Sequence, residues 1–256
     1  MVAIYSNPAS AQTANALYRN DRVMDGIIER LSTGKRINSA ADDPAGLAIA
    51  TRLTSQVNGL NQAARNANNA ISMVQIADNA ADTLDNIFQR MREIVVQAAD
   101  GSNSASDIAL LNTEFTALAE ETDRLVDTTS YNGRNIIDGN ADESGGSSVT
   151  YQVGSNVGIE QTLTIDFGDL NLGNGGLGGD FSSWKTTGLG SNLNTTLTDI
   201  DTAISAVATQ RATYGASLNR LEYAVDNLHS ASLTTSIARG RIEDTNYAAE
   251  TARLAK

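Results

Sequence analysis

Few side chains in this chain could do chemistry. There is one histidine, His229, and no cysteine, so thiolate catalysis, disulfides and thiolate metal sites are excluded. His229 is followed by Ser230 and Ala231 rather than by the remainder of a zinc-protease motif. No marked serine or acid completes a relay through it, and it reads as exposed helix surface. Asp42 and Asp43 stand just before Pro44, where free helix amides attract carboxylates. Glu120, Glu121 and Asp123 share one short helix, without the oxygen spacing of a calcium loop, and read as a solvated face. The glycines between residues 168 and 190 include no GxxxxGK, so they read as flexible linker, not a phosphate cradle. The expectation is a chain with no catalytic residues, no metal and no cofactor.

Helical periodicity fills the space that chemistry leaves empty. From Pro44 to Ala99 apolar residues fall at Leu53, Val57, Leu60, Ala64, Ala67, Ile71 and Val74 in alternating steps of four and three. One short step to Ala77 reads as a stammer. The pattern resumes at Ala81, Leu84, Phe88, Met91, Val95 and Ala98, and Asp100-Gly101 supplies a stop with glycine in a left-handed cap. A helix of about 55 residues is roughly 80 Å long, against about 45–50 Å for a compact domain of this size. The sequence therefore predicts an elongated molecule.

A thinner amphipathic helix precedes it within residues 1–33, with Ala14, Leu17, Met24, Ile28 and Leu31 on its seam and Asp21 in the skipped place. Residues 34–43 form a polar break. A helix from Asp107 to Asp127 carries Ile108, Leu111, Phe115, Leu118 and Leu125, and is short enough to fold back on the rod. The strongest pattern begins near Asn194: Leu197, Ile200, Ile204, Val207, Arg211, Tyr214, Leu218, Leu221, Val225 and Leu228. Only Arg211 interrupts it, as a register-fixing charge. Helix continues to Arg239, Gly240 breaks it, and a last helix runs to Lys256.

Between the rods, residues 131–194 hold fourteen of the 21 glycines and only two basic residues, Arg134 and Lys185, so a small β and glycine-rich tip is expected here. Asn132-Gly133 and Asp138-Gly139 are turn signals, while Val149, Tyr151, Val153 and Leu163, Ile165, Phe167 alternate as strands do. The fold class is mainly α: an elongated rod of long antiparallel coiled-coil helices with a small β-hairpin region at one end. Three segments are expected, 1–40, 41–240 and 241–256. Net charge is −12, which argues against nucleic acid and anionic membranes as partners. No apolar run is long enough to span a membrane, and the N-terminus lacks a cleavable secretion signal.

The run RLSTGKRINSAADDPAGLAIATRLTSQVNGLNQAARNANNAISMVQIADNA resembles the N-terminal region of bacterial flagellins, as do QRMREIVVQAADGSNSASD and YNGRNIIDG. SLNRLEYAVDNL and RIEDTNYAAETARLAK resemble their C-terminal region. The likeness covers roughly residues 1–155 and 195–256, and section 168–194 stands where flagellins carry variable outer domains. It implies a structural subunit that polymerises into the flagellar filament for motility and leaves the cell through the flagellar export apparatus, uncleaved, to the flagellum or cell surface. It also implies paired axial helices from the two chain ends. Flagellins carry a further apolar helix past the position of Lys256. Its absence is read as trimming, with a monomer expected for the trimmed chain.

The same resemblance makes Gln89, Arg90, Arg92, Glu93 and Ile94, with Glu114 on the next helix, a strip that packs between subunits and is gripped by the vertebrate Toll-like receptor for flagellin. Ile94 stands where leucine is more usual. From the residues alone the strip is a solvated face with an Arg90–Glu93 pair. Two alternatives accompany the filament reading: the junction protein between hook and filament, and a surface adhesin that holds a polysaccharide. For the last, Tyr151, Phe181 and Trp184 are the aromatic candidates at the tip.

Overall fold

A computed structural model describes residues 7–156, 158–173, 177–179, 181–190 and 192–256. The expectations for residues 1–6 and for parts of the glycine-rich stretch lie outside these. Ten elements follow one another: α1 (Pro8–Thr33), α2 (Pro44–Ala98), α3 (Ala105–Thr128), β1 (Ser130–Tyr131), β2 (Arg134–Asn135), β3 (Ser148–Gln152), β4 (Thr162–Asp166), α4 (Ser183–Thr186), α5 (Leu193–Glu243) and α6 (Tyr247–Leu254). A single 3₁₀ turn, Ile159–Gln161, links the last two strands. The fold is mainly α with small antiparallel hairpins. Contacts divide the chain into two units, residues 1–61 with 230–256, and residues 62–229. These boundaries differ from the three segments read from the sequence.

The larger unit is built around α2 and α5. They run antiparallel: ten residues along α2 from Asp82 to Arg92 are matched by ten back along α5 from Arg211 to Asp201. The core follows the seam read from the sequence at most positions and is shifted by one residue at a few. Ala63, Ala67, Ala70, Val74, Ala77, Ala81, Leu84, Phe88, Met91, Val95 and Ala98 are all buried, in an unbroken alternation of four and three. Ala70, not the half-buried Ile71, occupies the seam, so the stammer expected at Ile71–Val74–Ala77 does not exist. On α5 the buried set is Thr196, Ile200, Ala203, Val207, Tyr214, Ser217, Leu221 and Leu228. Leu197, Ile204, Leu218 and Val225 flank it, half-buried. Small residues take the line of closest approach because a bulky one would hold the axes apart. The larger neighbours fill the grooves beside it.

Arg211 is displaced from the seam for the same reason. Its guanidinium reaches Asp78 (3.2 Å) and Asp82 (2.8 Å), one turn apart on α2, and these carboxylates raise its pKa. Gln210 and Tyr214, its neighbours on α5, reach the hairpin instead. Gln210 Nε2 donates to the Asp166 carbonyl (2.8 Å) and the Tyr214 hydroxyl to the Phe167 carbonyl (2.6 Å).

Helix ends follow their chemistry, with two corrections. Asn7 caps α1, with Pro8 as its first residue, and Gly34 closes it in the left-handed region. Asp43 Oδ1 accepts from Gly46 N (2.9 Å) at the start of α2, while Asp42 serves the preceding loop by accepting from Asn38 and Ser39. Ser104 and Asp107 form a capping box on α3. Gly101 does not adopt a left-handed cap; the Asn103 amide closes α2 by donating to the Gln97 and Asp100 carbonyls. Gly240 does not end α5, which continues to Glu243. A lone helical glycine costs only about 1 kcal/mol relative to alanine, too little to break a long helix.

Asn132 (φ 52°) and Gly133 (φ 79°) form the tight turn between β1 and β2. β3 and β4 pair from Ser148↔Asp166 to Gln152↔Thr162, setting Leu163 and Ile165 on the core side. The stretch after β4 is not a linker. Leu170, Leu172, Leu177, Phe181, Trp184 and Leu189 are buried in the same core. Trp184, on α4, stacks on Phe181 (4.6 Å) and meets Phe88 of α2 and Phe115 of α3 edge-on (6.3 and 5.9 Å).

In the smaller unit, α6 packs on the C-terminal part of α1. Arg30 faces both Asp42 and Glu250 (3.7 Å each), and Lys35 pairs with Glu243 (2.5 Å). Arg36 donates to the Ile242 carbonyl (2.7 Å). Along the two long helices, seven residues forward from Thr54 to Asn61 match seven back from Arg239 to Ser232, again antiparallel. Among the described residues of α1 only Ile27 is buried.

Candidate interaction surface

The charged strip is assembled by the α2–α3 and α2–α5 contacts. Arg90 Nε donates to Glu114 Oε1 on α3 (2.9 Å), and its NH1 donates to Glu93 Oε2 (3.0 Å) one turn along α2. Arg92 Nε donates to Asp201 Oδ1 on α5 (2.8 Å). These hydrogen bonds raise the pKa of both arginines, through Glu114 and then Glu93 for Arg90, and through Asp201 for Arg92. Arg90, Glu93 and Glu114 are exposed, so their pairing adds little stability. It fixes instead the direction in which the guanidinium and carboxylates face outward. Gln89 is exposed beside them.

Ile94 is fully buried and takes no place on that surface; it supports the strip from beneath. Two exposed apolar residues that the sequence reading passed over do stand there: Val96 (51% exposed), three residues after Glu93, and Leu110 (72%), four before Glu114. Both lie off the helix seams, which is the only sequence signal they carry.

A second surface lies in the smaller unit. Leu17, Tyr18, Val23 and Ile28 of α1 are exposed by half or more, although Leu17 and Ile28 belong to the apolar stripe. The amphipathic face of this helix is unmet over its first five turns.

Of the seam residues named from the sequence, Val57, Leu60, Val74, Val207, Leu221 and Leu228 are buried, while Leu53, Ile71, Leu197, Ile204, Leu218 and Val225 are half-buried. The three tip aromatics separate. Phe181 and Trp184 have their ring faces inside the core, and neither is offered to a ligand. Tyr151 is half-buried on β3, where its hydroxyl donates to Met73 Sδ (2.8 Å).

The carboxylates find other partners. Asp123 pairs with Lys185 and so ties α3 to α4, rather than facing water. Glu121 pairs with Arg124 (2.5 Å). Among the described residues no group of three or more histidines or carboxylates could hold a metal, and no helix is long and apolar enough to cross a membrane. His229 is exposed.

Long helices with small-residue seams and outward-facing polar and apolar strips define a helical structural subunit. Comparison with known proteins makes the class specific. Residues 4–142 match the bacterial flagellin N-terminal helical region, and residues 197–256 match the bacterial flagellin C-terminal helical region. Flagellin of Halalkalibacterium halodurans is 39% identical over 87% of this chain and 78% of its own. Flagellin of Listeria innocua is 33% identical over 99% of this chain and 90% of its own. Flagellin of Escherichia coli K12 is 43% identical over 69% of this chain but only 34% of its own, consistent with a short outer region here. The crystal structure of Bacillus cereus flagellin superposes with a TM-score of 0.51 at 29% identity, covering 64% of this chain and 88% of that one. A putative flagellar hook-associated protein of Vibrio parahaemolyticus shares the fold, with a TM-score of 0.64 at 17% identity over 79% of this chain and all of that one.

The chain belongs to the bacterial flagellin family. It is a structural, non-catalytic subunit of the flagellum, the extracellular organelle of motility.

Proposed function

We propose that subunits of the full-length protein build an open helical polymer in which the exposed apolar face of α1 is buried. The observation that carries this reading is the exposure of Leu17, Tyr18, Val23 and Ile28 on one amphipathic helix. A contact that repeats without closing produces a filament, and apolar faces left in water favour such contacts. The protein reaches the outside through the flagellar export apparatus. The strip of Gln89, Arg90, Arg92, Glu93 and Glu114, with Leu110 and Val96 at its edge, faces a neighbouring copy in the polymer. On the dispersed subunit it is the surface open to an innate immune receptor of the Toll-like class.

Polymerisation of the full-length protein followed by electron microscopy tests this. A Leu17→Asp/Ile28→Asp variant should form no filaments while the residue 62–229 unit melts as in the parent. Filaments of normal length from that variant would overturn the proposal. For the receptor, a pull-down in which Arg90→Ala keeps full affinity would remove the strip from the contact.

A further inference from the structure

One concave site belongs to neither the core nor the two surfaces above. It is a groove of ≈ 670 Å³ in the larger unit, lined by Asn66 and Asn69 of α2, Tyr131 and Asn132 of the first tight turn, and Thr150, Tyr151 and Gln152 around β3. None of the seven is charged, in a chain where 19% of residues are. The groove is walled by amides, hydroxyls and two phenol rings.

Its frame is held in place by hydrogen bonds. Asn66 Oδ1 accepts from Gln62 Nε2 (2.9 Å) while its Nδ2 donates to the Gln152 carbonyl (3.2 Å), fastening β3 to α2. The Thr150 hydroxyl is 3.1 Å from that of Thr164 across the hairpin. Tyr151 is pinned by its bond to Met73 Sδ, and burial pushes its phenol up to about 12, so the wall stays neutral near pH 7. The neighbouring Arg134 is not part of the lining and donates to the Ala141 carbonyl (2.7 Å), though its charge is felt at Tyr151. Asn69, Asn132 and the Tyr131 hydroxyl have no hydrogen bond to the described residues. Asn132 projects from a turn whose left-handed backbone sets its direction.

We propose that this groove binds a short neutral glycan. Sugar hydroxyls donate and accept at once, as carboxamides and phenols do, so a neutral sugar satisfies the free groups without a buried charge on either side. The tyrosine rings offer apolar faces to the C–H side of a pyranose. The absence of any cation in the lining gives an acidic sugar nothing to pair with, and the net charge of −12 opposes its approach. The free amides of Asn69 and Asn132 carry the selectivity.

Isothermal titration and saturation-transfer NMR with glucan, mannan and galactan trisaccharides, and with trigalacturonate as the acidic control, test this on the full chain. At least one neutral trisaccharide should bind and trigalacturonate should not. Asn69→Ala lies on an exposed helix face and Asn132→Gly keeps the turn, so both variants fold. Each should weaken binding about tenfold, the loss expected of one orienting hydrogen bond. Binding by none of the neutral sugars, unchanged affinity in both variants, or preference for trigalacturonate would overturn the proposal.

Discussion

The two compact units differ in how far each completes itself. In residues 62–229, every long element has a buried face, and Tyr214, Phe88, Phe115, Phe167 and Trp184 anchor one continuous core. In residues 1–61 with 230–256, only Ile27 is buried among the described residues of α1, and the apolar stripe of that helix meets water. Both units rest on the same helical periodicity. The difference shows that a seam pattern specifies a sticky face without saying whether the partner is in the same chain. Where a partner helix and a hairpin return to it, the face becomes a core. Where none does among the described residues, the face is left exposed.

That contrast can be broken most severely in the larger unit. Phe115→Ala should cost about 3–5 kcal/mol, because it removes a fully buried ring and the edge contact to Trp184. Leu17→Ala on α1 should stay within about 0.5 kcal/mol, as an exposed substitution does. Chemical denaturation of both variants checks the pair, and equal losses would erase the distinction.

Ala77→Leu should come next, at about 1–3 kcal/mol. It adds bulk at a fully buried position on the α2 seam. Ile71→Leu, nearly two turns away and half-buried, should be nearly silent. Thermal melts that ranked them the other way would return the seam to Ile71.

Ser104→Ala should cost about 1 kcal/mol by removing the cap of α3. The capping box also predicts a pH dependence. Asp107 is held below its ordinary carboxylate value by the Ser104 hydroxyl and then by the Ser104 backbone amide. A carboxyl with a depressed folded pKa stabilises above its unfolded value, near pH 4, and loses that contribution as pH falls through the lower folded value. Acid titrations of stability should therefore flatten slightly in Asp107→Asn below about pH 4. The smallest effect belongs to Arg90→Ala, which should leave the melting temperature unchanged, since its partners are exposed.

Much of this was legible in the sequence. The long helices, the Asn132-Gly133 turn, the alternating strands and the family motifs all carry local signals. At a few places the seam departs from its sequence pattern, because large residues such as Ile71, Ile204 and Leu218 dominate that pattern while standing beside the contact. Close helix packing gives the deepest places to Ala70, Ala203 and Ser217. The burial of Leu170, Leu172, Leu177 and Trp184 was hidden because an irregular segment has no period to reveal it, and glycine-rich spacing imitates a linker. The neutral groove was invisible because its residues come from three separated segments and none belongs to a motif. Gly240 shows the opposite error, a local breaker overruled by the helix it sits in.

Amide hydrogen exchange on the dispersed protein, and then on assembled material, tests the central contrast most directly. Residues 8–25 of α1 should exchange far faster than residues 63–98 of α2 in the dispersed subunit, and should gain protection on assembly. Equal and slow exchange of the two segments before assembly would contradict the account.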